Sequence, residues 1–528
     1  MKKNIFKLVI TAGFLAGSFA SCTKKLDLLP TNDVTATQVY STPAGYKQAF
    51  AKVYGSFAMT GNQGPAGNGD IQGIDEGTSD FLRLFWKAQE LSTDEAVVSW
   101  GDPGIQDFHN MNWSSSNPML TGLYYRAYYQ ITLCNDFINQ SSDANLTSRG
   151  IKGADADAIK LFRTEARFLR AYQYWVIMDL FGTGPMATEK DQLGSVLPAQ
   201  ASRIDLFNYI ESELKAIDPD LVAPKANEYG RADKAAAYAL LARIYLNAGV
   251  YTGTARWADA VTYSKKVIDA GFALITNYPQ LMLADNNLNT SEFILTINYD
   301  GLKTQNWGGT TFLTHAPIGG SMKASNFGVD GGWSGLRTTK NLPALFPDLT
   351  GTIDARSQFY TPGQNLDITD LTSFTDGYAV TKYKNVTRTG AKGSSLTWTD
   401  IDFPIFRLAE QYLIYAEATL KGGNGDASLA LTYINNLRTR AYGNANGNIT
   451  SSQLTTDFIL DERGRELYWE GFRRTDLVRY NKFVESTYLW PWKGGVKSGT
   501  SVAAYRKIYP IPSSDISSNV KLVQNPGY

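Results

Sequence analysis

The sequence contains very little cysteine or histidine. Among its 528 residues there are two cysteines, Cys22 and Cys134, and two histidines, His109 and His315. Two cysteines are too few for a zinc site built from thiolates. Two histidines also leave little material for histidine-based catalysis or for a histidine-rich metal site. The chain is therefore a poor candidate for those classes of enzyme.

The chain also lacks a net charge and a long apolar run. Lys plus Arg is 50 and Asp plus Glu is 50, so the chain has no overall charge signature of nucleic-acid binding. No apolar segment reaches the roughly 20 residues that span a bilayer. A Walker-type glycine-rich loop, an H-E-x-x-H motif and a G-x-S-x-G motif are all missing. The apolar share of 43% and the charged share of 19% are typical of a globular chain.

The first residues have the pattern of an export signal. The first seven residues include three lysines, and they are followed by an apolar run over 8–16 and then by small residues. The stretch F-A-S-C at 19–22 resembles a bacterial lipobox, in which the cysteine at the cleavage point is acylated. We therefore predict a signal peptide over 1–21 and lipidation of Cys22, in preference to plain secretion. Cys134 lies in a half-apolar helical stretch and is expected to be a buried, inert thiol.

Helical periodicity dominates the rest of the chain outside its middle part. It predicts helices over 158–182, 202–217, 233–249, 256–271, 407–423, 427–441 and 456–483. The pair over 233–271 has small residues on its packing face, as tetratricopeptide (TPR) units do, although no clean period of roughly 34 residues can be aligned. We predict a mainly α fold in which TPR-like helix pairs form a scaffold.

From about 275 to 400 the chain is rich in Gly, Asn, Ser and Thr, which predicts an irregular loop-rich region containing short strands. Here Asp285, Asn287 and Asn289 have the alternating spacing of a calcium loop. An EF-hand needs Gly and Glu where Thr290 and Thr296 stand. An Asx-rich turn before a strand is the favoured interpretation, and we predict neither a metal nor a cofactor.

Three glutamates, Glu462, Glu466 and Glu470, recur four residues apart on a predicted helix. Paired carboxylates can hydrolyse glycosides, so a glycosidase is one alternative. Arginines at 463, 465, 473 and 474 lie among them, however, and an ion-paired helix face is the commoner explanation. We predict no catalytic residue.

Tryptophan in polar loops is the clearest functional signal. An indole in a wet loop is costly unless something covers it. Sugar rings suit that role because their C–H faces stack on indoles while nearby amides and carboxylates bind their hydroxyls. The alternative is that long loops simply pack over these indoles. We rank Trp86, Trp100, Trp307 and Trp333 first as stacking residues, and Trp113 and Trp398 below them. The candidate polar partners are Asn68, Asp70, Asp102, Asn306, Lys382 and Lys384, of which the two lysines are also explained as solvated surface.

Five long motifs follow one another along the chain. They are TEARFLRAYQYWVIMDLFGTGPM (164–186), GRADKAAAYALLARIYLNAG (230–249), FRLAEQYLIYAEA (406–418), ILDERGRELYWEGFRRTDLVRY (459–480) and YPIPSSDISSNVKLVQNPGY (509–528). Together they resemble the SusD/RagB family, which are outer-membrane nutrient-binding lipoproteins of Bacteroidetes. The family's motifs lie in its scaffold, so they do not locate the ligand.

The resemblance implies a function as well as a fold. It implies TPR-like helix pairs below a loop-rich ligand region, no catalysis, and a SusC-like TonB-dependent transporter as partner. The lipid on Cys22 would hold the protein at the outer membrane, facing outward. We divide the chain into an N-terminal helical region (22–274) and a C-terminal region with binding loops and closing helices (275–528). The expected function is capture of oligosaccharide or polysaccharide for the transporter; the alternative is a peptide or glycopeptide receptor of the same architecture.

Overall fold

The structure is a computed structural model that describes residues 36–65, 68–191, 194 and 196–528. The predicted signal peptide and Cys22 lie outside these residues. The helices of the described part are α1 Ala36–Val39, α2 Pro43–Ala58, α3 Phe81–Glu90, α4 Asp107–Asn110, α5 Pro118–Gln140, α6 Asp143–Ser148, α7 Gly153–Leu180, α8 Arg203–Ile217, α9 Lys234–Leu246, α10 Ala248–Thr252, α11 Trp257–Ile268, α12 Gly309–His315, α13 Leu408–Leu420, α14 Ala427–Tyr442, α15 Thr456–Leu467, α16 Arg473–Arg479 and α17 Ser513–Ser518.

The long helices pack side by side in an order that follows the sequence. α5 packs on α7, α7 on α8, α8 on α9, α9 on α11, α11 on α13 and α13 on α14. This is the stacking of helix pairs in a TPR-like scaffold, and it confirms the predicted mainly α fold. None of the helices in the described ranges is long and apolar enough to cross a membrane.

Local sequence explains where these helices begin. Asp233 caps α9 by accepting hydrogen bonds from the amides of Ala235 and Ala236, at 2.8 and 3.1 Å. Ser202 and Asp205 form a capping box at the start of α8. Cys134 on α5 is fully buried and unpaired, as predicted, and burial raises the pKa of its thiol to about 12.

The described part of the chain contains short antiparallel strand pairs, and four of the strands lie within 275–400, the region for which short strands were predicted. The strands are β1 Val97–Val98, β2 Gly184–Pro185, β3 Gln200–Ala201, β4 Phe293–Ile297, β5 Leu336–Arg337, β6 Phe359–Tyr360, β7 Ala379–Val380 and β8 Phe403–Arg407. They pair as β1–β5, β2–β3, β4–β8 and β6–β7. In the longest pair Phe293 lies opposite Arg407 and Ile297 opposite Phe403. The segment after β4 and the segment before β8 therefore leave the pair at the same end.

The predicted single helix over 456–483 is wrong, because the chain breaks between α15 and α16. Trp469 has φ 62° and Gly471 has φ 81°, so both lie in the left-handed region that ends a helix. The break turns the Trp469 side chain into the core, where its indole lies 5.0 Å from that of Trp86. Packing of a large aromatic side chain outweighs helix propensity here.

A buried ion-pair network joins the C-terminal helices to the strand pair β4–β8. At its centre Arg407, the last residue of β8, lies 2.6 Å from Glu466 and 2.7 Å from Glu470. It also lies 3.1 Å from Glu292, the residue before β4. The other members are Asp354, Arg356, Lys382, Arg438, Arg440, Glu462 and Arg465. This set is called the Arg407 network below.

Three glutamates of the network, Glu462, Glu466 and Glu470, have pKa values below the ordinary range of a glutamate. Burial is the largest influence on the pKa of Glu466 and raises it, but the guanidiniums of Arg440, Arg407 and Arg356 together hold that pKa at about 2. Each charge in this interior therefore depends on its partners to offset the cost of leaving water.

We expect Glu466→Gln to destabilise the protein by about 3–5 kcal/mol, because it leaves buried arginines without a counter-charge. The matched control is Asp457→Asn, which removes an exposed carboxylate 2.8 Å from Lys482 and should cost less than about 1 kcal/mol. Urea unfolding followed by circular dichroism measures both values. Equal losses from the two substitutions would contradict the role given to the network.

Candidate ligand-binding site

Two tryptophans are brought together by the pair β1–β5. Trp100 follows β1 and Trp333 precedes β5, and the indole nitrogen of Trp100 donates a hydrogen bond to the Trp333 carbonyl at 3.0 Å. Their ring centroids lie 6.4 Å apart. A Cβ at Gly335 would lie 2.2 Å from the Trp100 indole, so glycine is required beneath that ring.

The other two loop tryptophans come from the pair β4–β8. Trp307 lies on the segment after β4 and Trp398 on the segment before β8, and their ring centroids are 4.3 Å apart. Trp307 also lies 6.1 Å from Trp333. The four half-buried indoles thus form one continuous row. Trp100, Trp307 and Trp333 line an open cleft of about 630 Å³, which we call the tryptophan cleft.

Arg83 on α3 forms part of the cleft wall. Its guanidinium donates hydrogen bonds to the carbonyls of Gly77 and Trp307, at 2.7 and 2.8 Å. It also lies 5.8 Å from the Trp100 ring and 5.9 Å from the Trp333 ring. Burial lowers its pKa to about 10, so it remains a cation at neutral pH. Its remaining N–H groups are suited to donating to a ligand hydroxyl.

Asp80 positions both Arg83 and Trp307. Its carboxylate caps α3 by accepting from the Arg83 amide at 2.8 Å and also accepts from the Gly309 amide at 2.7 Å, at the start of α12. A Cβ at Gly308 would lie 2.2 Å from Asp80. One buried carboxylate therefore fixes the starts of two helices on either side of the cleft.

Carboxylates complete the lining of the tryptophan cleft. Asp75, Glu76 and the exposed Asp102 all line it. Flat aromatic faces beside carboxylates and a guanidinium suit a ligand with apolar C–H faces and many hydroxyl groups.

Two of the predicted stacking residues lie in the core instead. Trp86 is 0% exposed, its indole nitrogen donates to the Trp469 carbonyl, and Phe312 lies 5.6 Å from its ring. Trp113 is 1% exposed and its indole nitrogen donates to the Tyr528 hydroxyl at 2.6 Å. Because other side chains already cover both indoles, the prediction that they stack on a ligand is contradicted.

Several predicted polar partners are engaged inside the protein. Asn306 is buried and bonds to the Ala58 carbonyl and the Gly308 amide. Lys382 is buried with its amine 2.6 Å from Glu470, which also contradicts the alternative that it is solvated surface.

The remaining polar candidates lie away from the lining of the tryptophan cleft, with Asp102 as the exception. Asp70 is 3.1 Å from Lys52 and 3.5 Å from Arg126, so its charge is already paired. Asn68 is exposed, and Lys384 is half-buried beside Leu283.

The two alternative sites considered from the sequence have structural explanations. Glu462, Glu466 and Glu470 are buried and ion-paired in the Arg407 network, which contradicts their use as exposed catalytic carboxylates. Asp285 pairs with Arg388 at 3.0 Å, and the residues after it form a short 3-10 turn before β4, as predicted for an Asx-rich turn before a strand. No group of three metal-ligating side chains occurs among the residues that the structure describes.

The sequence contained little signal for Arg83. It lies three residues before Trp86, in a stretch for which the sequence predicted no helix. The capping residue Asp80 was the only local indication that this helix begins there, and thus that Arg83 lies in its first turn.

Comparison with known proteins identifies related sequences along the whole chain. The model of the SusD family matches residues 356–528, and a model described as "Starch-binding associating with outer membrane" matches residues 86–246. The chain is 36% identical to the starch-binding protein SusD of Bacteroides thetaiotaomicron, over 100% of both chains. It is 25% identical to SusD-like protein P2 of Formosa agariphila, over 81% of this chain and 85% of that one.

Solved structures show the same fold. A SusD homologue from Bacteroides thetaiotaomicron matches with a TM-score of 0.73 at 17% identity, over 94% of this chain and 99% of that one. Surface glycan-binding protein A from the same species, in complex with laminarihexaose, matches with a TM-score of 0.68 at 21% identity, over 91% and 99% of the two chains.

The different positions of Trp86 and Trp307 lead to a stability prediction. Trp86→Ala should cost about 3–5 kcal/mol of unfolding free energy, because it leaves a cavity in the core. Trp307→Ala removes a half-buried ring at the cleft and should cost about 1 kcal/mol. Urea unfolding tests both variants, and a larger loss from Trp307→Ala would contradict the assignment of Trp86 to the core and Trp307 to the cleft.

Proposed function

This chain belongs to the SusD/RagB family, and we propose that it is a surface glycan-binding protein whose ligand occupies the tryptophan cleft. The observation that carries this proposal is the row of indoles made by Trp100, Trp333, Trp307 and Trp398. Half-buried indoles with carboxylates and a guanidinium beside them match the alternating apolar faces and hydroxyl edges of a sugar chain.

We take a starch-type α-glucan as the first candidate ligand. The relative that is similar over the full length is named for binding starch. The cleft supports this choice, because neighbouring rings are tilted by 44°, 58° and 56° along the row. Neighbouring rings that are tilted against one another fit a coiled glucan better than they fit a flat, extended glucan. A peptide or glycopeptide is less favoured, since the relatives named for a ligand bind glycans.

We propose that the protein binds its glycan without cleaving it. Three half-buried indoles line the cleft, and few aromatic anchors are enough to dominate the binding energy. The glutamate triad proposed for hydrolysis is occupied by structural ion pairs and lies outside the cleft lining.

Removal of single rings tests the glycan site. We expect Trp307→Ala and Trp333→Ala each to lower the affinity for maltoheptaose about tenfold or more in calorimetric titration, because each removes a stacking surface. The matched control is Trp257→Ala, a half-buried tryptophan on α11, which should leave the affinity unchanged.

Two outcomes would overturn this assignment. One is unchanged maltoheptaose affinity in both cleft variants. The other is binding of peptides by the unaltered protein at concentrations at which maltoheptaose, laminarihexaose and other oligosaccharides fail to bind.

We further propose that a lipid on Cys22 anchors the protein at the outer-membrane surface, where it passes glycan to a SusC-like TonB-dependent transporter. The export-signal pattern and the lipobox-like F-A-S-C stretch support the anchor. The match to a family model described as associating with the outer membrane supports the location.

Substitution of Cys22 tests the proposed lipid anchor. Cys22→Ala should release a protein that still binds glycan but no longer fractionates with the outer membrane. The matched control Cys134→Ala removes the other, buried cysteine and should remain membrane-bound. Membrane fractionation with a fatty-acid label measures both. Retention of Cys22→Ala in the outer membrane of a strain without the transporter would contradict the anchor.

A further inference from the structure

A second cleft opens beside the segments that carry Trp307 and Trp398. Its volume is about 560 Å³, and its lining includes Tyr229, Asn298 and Lys303. It lies between the segment after β4 (298–307) and the segment before β8 (394–402), which leave the same end of the strand pair. Asp400 joins the two segments by accepting a hydrogen bond from the Gly301 amide at 2.7 Å, and it also accepts from the Ser394 hydroxyl of its own segment at 2.6 Å. We call this second cleft the Tyr229 cleft.

Several polar groups that line the Tyr229 cleft make few or weak contacts within the protein. Asn287 is exposed, and its side chain forms no hydrogen bond with any residue that the structure describes. The exposed Asn298 uses its side-chain oxygen to accept from Thr296 at 2.5 Å, which leaves its amide nitrogen available. Lys303 is highly exposed and lies 3.6 Å from the partly exposed Asp300, a contact that contributes little to stability.

These groups surround an aromatic ring. Tyr229 is half-buried and its hydroxyl donates to Asp402 at 2.9 Å, which fixes the ring's orientation. A fixed aromatic face with amide and ammonium donors around it has the chemistry of a hexose subsite. An anionic ligand fits less well, because Asp300 and Asp400 also line this cleft.

The two clefts are close enough for one ligand. The chain from Thr304 in the Tyr229 cleft to Trp307 in the tryptophan cleft covers three residues, so it spans at most about 11 Å. Asp400 and Trp398 are two residues apart, at most about 7 Å. An oligosaccharide that stacks on Trp307 and Trp398 can therefore extend into the Tyr229 cleft.

We propose that the Tyr229 cleft is an extension subsite for the same glycan chain, so that the protein prefers long chains to short ones. This inference rests on the proposed glycan-binding function. It adds that Asn287, Asn298 and Lys303 bind sugar units beyond those stacked on the indoles. Length selection follows because only a long chain fills both clefts and gains both sets of contacts.

Calorimetric titration with maltotriose and maltoheptaose tests the extension. We expect the unaltered protein to bind maltoheptaose more tightly than maltotriose. The double variant Asn287→Ala/Lys303→Ala should lose about tenfold affinity for maltoheptaose and less than about twofold for maltotriose, because only the longer chain loses hydrogen bonds. Both side chains are exposed, so the variant should fold normally. The control Lys160→Ala removes an exposed lysine on α7 and should change neither affinity.

The outcomes separate the extension from the function on which it rests. Equal affinities of the unaltered protein for the two sugars would overturn the extension alone. So would a double variant that binds maltoheptaose as tightly as the unaltered protein does. Failure of the unaltered protein to bind either sugar would refute the α-glucan assignment, and the extension would fall with it.

Discussion

Arg407 is the residue on which the binding region depends most. It lies at the end of β8, is almost completely buried, and pairs with Glu292, Glu466 and Glu470. Burying charges costs several kcal/mol for each ion, and this cost is offset only when every charge keeps its partners. The network therefore allows one arrangement of β4, β8 and α15, and a displacement of any one of them would leave charges unpaired.

The Arg407 network also constrains the candidate ligand site, because short segments of chain connect the strand pair β4–β8 to that site. Trp307 and Trp398 lie on the two segments that leave the same end of β4–β8, which explains why their rings are 4.3 Å apart. Asp80 adds a second fixed point by joining the starts of α3 and α12, and so sets Arg83 beside Trp307. The loops that carry the row of indoles are thus held by rigid elements of the fold. Position, rather than residue type alone, distinguishes the indoles that face solvent from those that do not.

The sequence predicted the parts of this structure that depend on local patterns. The helices at 203–217 and 257–268 follow from periodicity, with Ser202 capping the first, and all four half-buried indoles of the candidate site were predicted from their polar neighbours. Trp86 and Trp113 were misjudged because distant residues, Trp469 and Tyr528, cover them. Arg83 was missed because no helix was predicted over 81–90, and the contact between Arg83 and Trp307 joins residues that are far apart in sequence. The break at Trp469 was missed because tertiary packing, and not its neighbours in sequence, holds it in the left-handed region.

In the function proposed above, a row of indoles fixed by buried ion pairs binds a glycan chain. The most direct measurement is a crystal structure of the protein with maltoheptaose. We expect glucose rings stacked on Trp307 and Trp333, with a ligand hydroxyl within hydrogen-bond distance of Arg83. Maltoheptaose bound elsewhere on the surface, with the tryptophan cleft free of sugar, would contradict it.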